Sequence, residues 1–172
     1  MAEEHTGGTV IAVCRKAEAG LPKLVVDEIE LIADQGVAGD YHAGQFVRHR
    51  YLARKDPTRI NTRQVLLVDA QSYRELAQAG IELGPGMLGE NITVAGLPLM
   101  QLTAGTQLAI GDALLEITEV RTPCKQLNGI APHLLSATTI HSQGKKTYRA
   151  GMLARVVRGG PLRAGARVTV LP

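Results

Sequence analysis

The stretch TQLAIGDALLEITEV, residues 106–120, decides the fold class of this chain. Apolar and β-branched residues lie on both sides of Gly111-Asp112, a dipeptide that is typical of tight turns between strands. Residues 106–110 and 114–120 are therefore predicted to form two short strands joined by this turn. Many short strands separated by glycine-rich turns are characteristic of β-barrels and β-sandwiches.

Similar runs recur on both sides of this stretch and predict further strands. They cover residues 9–14, 24–31, 64–68, 91–94, 152–157 and 167–171. One helix is predicted from Ala70 to Gln78, because Asp69 is a suitable N-cap and Gly80 follows the helix end. The pattern favours a mostly β fold with minor α content. We expect residues 1–172 to form a single domain, a closed β-barrel decorated by a few short helices.

The composition narrows the classes of function. The chain has one Phe, four Tyr and no Trp, and its net charge is +3, which counts against a role in nucleic acid binding. No apolar run approaches the roughly 20 residues of a membrane span, and Met1–His5 lacks the features of a secretory signal. Two cysteines do not form a disulfide framework, so a reducing, cytoplasmic location is expected.

Cys124 is the strongest candidate for a reactive group. Thr122 is a plausible N-cap and Pro123 suits a first helical position, so the thiol is predicted in the first turn of a short helix. Arg121 and Lys125 add positive charge beside it. This setting favours the thiolate required by nucleophilic sulfur chemistry and by soft-metal ligation, although an inert buried cysteine is the competing interpretation. Cys14, at the end of an apolar strand, is interpreted as a core residue.

A second group of candidates lies between residues 36 and 63, in a long segment without aliphatic periodicity. Asp40 and His42 lie among three glycines, Gly36, Gly39 and Gly44, which permit tight turns, and they are candidates for orienting a ligand or moving a proton. A cluster of basic residues follows, which either receives an anionic ligand or forms a solvated loop. Its members are Arg48, Arg50, Arg54, Lys55, Arg59 and Arg63. A third constellation, Gly89-Glu90-Asn91, begins a strand after a glycine-rich turn and offers hydrogen bonds to a heterocycle.

The ordered set GVAGDYH (36–42), PGMLGENITVAGL (85–97) and RTPC (121–124) resembles the MOSC domain. This family comprises the C-terminal domain of molybdenum cofactor sulfurases and its free-standing relatives. The resemblance extends over residues 9–171. It implies a barrel similar to the barrel domain of pyruvate kinase and a functional cysteine at Cys124. The chain departs from some reductase-type members by carrying the basic insertion 45–61.

The resemblance implies a protein that binds molybdenum cofactor, with Cys124 as metal ligand and reduction of N-hydroxylated compounds as the reaction. Arg121, Arg63, Lys125 and part of the basic segment are then expected to bind the cofactor, the arginines through its phosphate. Asp40, His42, Gly89, Glu90 and Asn91 are expected beside the pterin or the substrate. An electron-donating partner is implied, and the family is also associated with pyridoxal phosphate. The alternative is a sulfur carrier that receives a Cys124 persulfide from a cysteine desulfurase, and a nucleic-acid-binding barrel is more remote.

Overall fold

The computed structural model describes residues 6–172, so the prediction about a signal at Met1–His5 lies outside the described residues. The strands are β1 (Gly7–Arg15), β2 (Leu24–Val26), β3 (Ile29–Ile32), β4 (Gly36–Val37), β5 (Val65–Asp69), β6 (Ile92–Ala95), β7 (Gln107–Ile110), β8 (Ala113–Val120), β9 (Thr139–Ser142), β10 (Lys145–Tyr148), β11 (Met152–Arg158), β12 (Gly160–Leu162) and β13 (Arg167–Val170). The helices are α1 (Arg50–Lys55), α2 (Ala70–Gln78) and α3 (Leu134–Ala137), with 3-10 turns at Leu99–Gln101 and Lys125–Gly129.

Seven strands form a closed barrel. Their order is β1, β13, β7, β8, β11, β5 and β6, and the pairing of β6 with β1 returns to the start. Neighbouring strands are antiparallel except for β5 and β6, which are parallel. Closure leaves the barrel strands without an unpaired edge, which satisfies the backbone hydrogen-bonding groups. β2 extends β1 outside the barrel, and two small sheets, β12-β3-β4 and β10-β9, decorate it.

The barrel interior is filled by aliphatic side chains. Along β8, Ala113, Leu115 and Ile117 are fully buried and alternate with partly exposed residues, as expected for a strand with one face in a core. A second, smaller apolar cluster lies between α2 and the 3-10 turn at 125–129, and it includes Leu76 and Leu127. Each fully buried leucine contributes roughly 1.5–3 kcal/mol to folding. The mostly β barrel predicted from the sequence is thus confirmed.

Several predicted elements need correction. The single run predicted at 24–31 is two strands, β2 and β3, which belong to different sheets. The segment 36–61 was predicted to lack regular structure, yet it contains β4 and α1. The periodicity was uninformative there because no residue of α1 is buried. The hairpin β9-β10 was not predicted either, because its residues are mostly exposed and polar and show no apolar alternation.

In residues 6–172 no helix is both long enough and apolar enough to cross a bilayer. The longest helix is α2, whose nine residues form an amphipathic surface helix. Its N-cap is Asp69, as predicted, and the carboxylate accepts hydrogen bonds from the Ser72 N–H at 2.8 Å and the Ser72 hydroxyl at 3.0 Å.

Replacement of this cap should destabilise the protein measurably. We expect Asp69→Ala to lower the free energy of unfolding by about 1–2 kcal/mol, because the N–H groups at the start of α2 lose their acceptor. Asp69→Asn keeps a capping oxygen and should lose less. Urea unfolding followed by circular dichroism measures both, with the exposed Gln78→Ala on the same helix as control. Equal losses for the alanine and asparagine variants would contradict the capping role.

Candidate functional site

A cavity of about 460 Å³ opens beside Cys124. This volume lies within the range of small-molecule sites. One part of its wall comes from the end of β8 and the turn that follows, and another comes from the basic segment around α1. The lining includes Ala19, Gly20, Leu21, Lys23, Tyr41, His42, Val47, Arg48, His49, Arg50, Tyr51, Asn61, Arg63, Gln64, Leu66, Gly89, Asn91, Arg121, Thr122, Cys124, Lys125, Gln126 and Leu153.

Cys124 lies at the start of the 3-10 turn 125–129 as its N-cap, with φ −125° and ψ 169°. The predicted arrangement, with Thr122 as N-cap and Pro123 as first helical residue, is therefore wrong by two residues. The Arg121 N–H donates to the Gly151 carbonyl at 3.0 Å, which keeps the chain extended beyond the end of β8. A residue before proline also favours extended backbone, which places Thr122 outside the helix. The Cys124 side chain is exposed and lines the cavity.

Arg121 is a buried cation at the cavity wall, only 9% exposed. Its Nη1 donates to the Ala150 carbonyl at 3.2 Å. Within residues 6–172 no carboxylate forms a salt bridge with it. Burial lowers the pKa of the guanidinium, and the negative charges of a Cys124 thiolate and of Glu90 oppose this effect. A buried charge without a counterion is costly, so this guanidinium is a ready partner for an anionic ligand.

A buried ion pair between Lys23 and Asp40 lies at the cavity wall. The Lys23 ammonium, 5% exposed, donates to Asp40 Oδ2 at 2.9 Å and to Asn91 Oδ1 at 3.2 Å. The sequence analysis did not identify Lys23, because a lysine in a short apolar run gives no local sign of burial. Its partners are distant in sequence and meet it only in the folded barrel.

Asp40 and His42 lie close together, as their predicted role requires. The His42 Nδ1 atom is 3.7 Å from Asp40 Oδ2, and the His42 backbone N–H donates to the same oxygen at 3.1 Å. Burial favours the neutral carboxyl, but the hydrogen bond with His42 and the charge of Lys23 hold the pKa of Asp40 well below its usual range. His42 lines the cavity, whereas Asp40 lies behind it among the buried residues.

Glu90 is placed away from the cavity, in contrast to its predicted position beside a ligand. The residue is fully buried, and its Oε1 atom accepts hydrogen bonds from the Tyr73 hydroxyl, the Gly86 N–H and the Thr93 hydroxyl. Burial, together with the charge of Glu90, raises the pKa of Tyr73. These bonds to Oε1 join α2, the turn at Gly86 and β6, while the buried Oε2 atom of Glu90 has no hydrogen-bond partner among the described residues.

Gly89 and Asn91 do line the cavity, but the Asn91 amide is already engaged. Its Oδ1 atom accepts from the Leu66 N–H and from Lys23, and its Nδ2 donates to the Cys14 carbonyl at 3.2 Å. Gly89 has φ +89°, and a Cβ there would lie 2.3 Å from the Leu21 side chain. Both residues shape the wall more than they offer groups to a ligand.

Arg63 and Lys125 complete the predicted set, and both line the cavity. Arg63 Nη1 lies 2.8 Å from Glu119 Oε1, so much of its charge is compensated. Lys125 is exposed and forms no salt bridge with the described residues. Of the cations near Cys124, Arg121 and Lys125 are thus the two whose charge is open to a ligand.

The two cysteines differ in environment, as the sequence indicated. Cys14 is fully buried, and this burial raises the pKa of its thiol to about 12. Among residues 6–172, no three His, Cys, Asp or Glu side chains come together in a way that could hold a metal ion. A metal at this site would therefore need most of its ligands from another molecule.

A sequence profile of the MOSC domain matches residues 38–169, a span that includes every site residue predicted from the sequence. The chain belongs to the MOSC domain family, which is associated with binding of molybdenum cofactor. No curated protein shows significant sequence similarity to it.

Solved structures agree with the fold of this family. The YuaD protein from Bacillus subtilis superposes with a TM-score of 0.79 at 23% identity, over 95% of both chains. YiiM from Escherichia coli gives 0.64 at 22% identity, over 96% of this chain and 70% of that chain. YiiM from Geobacillus stearothermophilus gives 0.61 at 18% identity, over 97% and 74%. Identities this low establish the shared fold and nothing more specific.

The contrast between the cysteines predicts selective alkylation. Iodoacetamide at pH 8 should modify Cys124 well before Cys14, because Cys14 is buried and has a raised thiol pKa. Peptide mapping by mass spectrometry identifies the modified residue. The folded Cys124→Ser variant should remain unlabelled until denaturant is added. Modification of Cys14 first in the native protein would refute the assignment.

The Lys23–Asp40 pair predicts a pH-dependent contribution to stability. Because the folded pKa of Asp40 is depressed, its contribution is present above the ordinary value of 3.8 and is lost as the pH falls below it. Asp40→Asn should cost about 3 kcal/mol at pH 7, since it leaves the Lys23 ammonium buried without a carboxylate. The difference from wild type should shrink between pH 4 and pH 2 in urea titrations. The exposed Asp112→Asn is the control, and a difference independent of pH would contradict the pairing.

Proposed function

We propose that this protein binds molybdenum cofactor in the cavity and reduces N-hydroxylated compounds. The observation that carries the proposal is the Arg121 guanidinium, buried beside the Cys124 thiol without a carboxylate partner among residues 6–172. A thiolate is a suitable ligand for a soft metal, and guanidinium groups bind phosphate with two parallel hydrogen bonds. The cavity therefore offers a thiolate ligand for the metal of the cofactor and a guanidinium group for its phosphate.

The residues on the cavity wall fit the cofactor in number and type. Cys124 offers one metal ligand, and the described residues form no protein metal cluster that would compete with it. Arg121 and Lys125 supply the charge that an anionic phosphate requires. When bound, the cofactor would supply two-electron redox chemistry at its metal.

The remaining chemistry falls to the protein. Reduction of an N–O bond consumes two electrons and two protons, breaks the bond and releases the oxygen as water. His42 lines the cavity, and its Nδ1 atom lies 3.7 Å from Oδ2 of the ionised Asp40 behind it, which orients the imidazole. His42 is therefore assigned to deliver a proton to the leaving oxygen. The electrons come from an external reductant, such as a protein partner, that docks at the cavity mouth.

A second candidate function is sulfur transfer. Its support is the exposure of Cys124, which leaves the sulfur accessible to another protein. A cysteine desulfurase persulfide would pass its terminal sulfur to the Cys124 thiolate, which regenerates the thiolate of the donor. The Arg121 guanidinium would then stabilise the persulfide anion on Cys124. This function uses the same two residues but requires no bound metal.

Metal analysis distinguishes the two functions. Protein purified from a host that makes molybdenum cofactor should contain molybdenum and pterin in a ratio near one per chain, by inductively coupled plasma mass spectrometry and by fluorescence of the oxidised pterin. Sulfur released by cyanide, without molybdenum, would instead identify the sulfur carrier. Purified protein that contains neither molybdenum nor sulfur released by cyanide would exclude both functions.

The two cysteine variants should behave in opposite ways. Cys124→Ser should keep the melting temperature of the wild type and lose most of its bound molybdenum, because serine replaces an exposed thiol with a poor ligand for a soft metal. Cys14→Ser should retain cofactor in the folded fraction but lose about 1–3 kcal/mol of stability, because it buries a hydroxyl in an apolar site. Thermal unfolding and metal content measure both effects. A Cys124→Ser protein with full molybdenum content would refute the ligand assignment.

A further inference from the structure

The basic segment 45–61, named the strap from here on, is a closed and preorganised element. At its base the Asn61 N–H donates to the Gln45 carbonyl at 2.9 Å, and the Val47 N–H donates to the Arg59 carbonyl at 2.9 Å. The Asn61 side chain, in a residue that is 2% exposed, donates to the carbonyls of His42 and Gly44. These hydrogen bonds hold the strap, including α1, in a fixed position relative to residues 42–44.

The strap brings its own cations to the cavity. Arg48 and Arg50 line it, whereas Arg54, Lys55 and Arg59 of the same strap do not. Neither Arg48 nor Arg50 forms a salt bridge with a carboxylate in residues 6–172. These two arginines belong to a different part of the chain from Arg121 and Lys125. The cavity thus has two cationic stretches and can bind two anionic groups.

Aromatic rings accompany these polar groups. Tyr41 and Tyr51 line the cavity, and the Arg48 guanidinium lies over the Tyr41 ring at 4.7 Å from its centroid. Tyr51 is 60% exposed although it is apolar in large part. Exposed rings of this kind provide flat surfaces on which a planar molecule can stack.

We propose that Arg48 and Arg50 form a substrate-anion subsite, so that the preferred substrate is a planar N-hydroxylated compound that carries a carboxylate or a phosphate. The inference rests on the proposed reductase function and adds the substrate class. Arg121 and Lys125 bind the anionic group of the cofactor, and the strap binds that of the substrate. Guanidinium groups suit both carboxylate and phosphate, because their paired N–H donors match two oxygens.

A matched series of substrates tests the subsite. Benzamidoxime is neutral, whereas 4-carboxybenzamidoxime and 4-phosphonobenzamidoxime add one anionic group to the same reducible end. With the holoprotein and reduced viologen as electron donor, kcat/KM should be roughly tenfold or more higher for an anionic compound than for the neutral one. The better of the two anionic compounds identifies the preferred group. Equal values for all three compounds would overturn the inference.

The double variant Arg48→Ser/Arg50→Ser should reduce this preference to about one. Both side chains are exposed, so the variant should fold normally. The control is Arg54→Ser/Arg59→Ser, which also removes two positive charges from the strap but at exposed residues outside the cavity lining, and it should keep the preference. Persistence of the preference in the double variant, or its loss in the control, would refute the subsite.

Two further readouts separate this inference from the proposed function. Isothermal titration calorimetry of the oxidised holoprotein measures binding without turnover, and the anionic compounds should again bind roughly tenfold more tightly. Such binding without any turnover would refute the reductase and leave the subsite intact. Molybdenum content of the double variant should equal that of the wild type. A loss of molybdenum there would show that the strap binds the cofactor, which would overturn the subsite.

Discussion

The closure of the barrel at β1 is the constraint on which the rest of the structure depends. β1 pairs with β13 near its start and with β6 from Thr9 to Val13, and the register of the β1–β6 pairing shifts between Val10 and Ala12. This closure fixes the parallel pair β5 and β6 and the end of β8, from which the cavity wall is built. The Asn91 amide links the two parallel strands to β1, because it bonds to the backbone of both Leu66 and Cys14.

The buried charged residues Lys23, Glu90 and Arg121 differ in how their charges are compensated. The Lys23 ammonium is buried with Asp40, and the pair holds the loop that carries His42 against the barrel. Glu90 is buried with three neutral donors and joins α2 to β6. Arg121 is buried to a similar degree but forms no salt bridge with a carboxylate in residues 6–172, and the charges of a Cys124 thiolate and of Glu90 only partly oppose the lowering of its pKa by burial. A protein tolerates such a charge where a ligand neutralises it. We therefore interpret Lys23 and Glu90 as residues that stabilise the barrel and Arg121 as a residue that binds a ligand.

The strap illustrates how function is added to a stable barrel. None of the residues of α1 is buried, so the helix contributes little to the core, and its fixed position derives from the hydrogen bonds at Asn61. Exposed segments held on a rigid scaffold are common positions for binding residues, because they change without cost to the fold. The strap is therefore suited to the proposed substrate subsite, separate from the residues around Cys124 that are proposed to hold the cofactor.

Local sequence determined much of this protein: the alternation along β8, the cap of α2 at Asp69 and the contrast between the two cysteines were all read from neighbouring residues. It also identified part of the cavity wall through short motifs, including His42, Arg121 and Cys124. Only the tertiary structure showed that Lys23 pairs with Asp40, that Glu90 lies away from the cavity and that the arginines of the strap divide into two sets. Burial and charge compensation arise between residues far apart in the chain, so local patterns predict the elements and the fold decides which side chains meet.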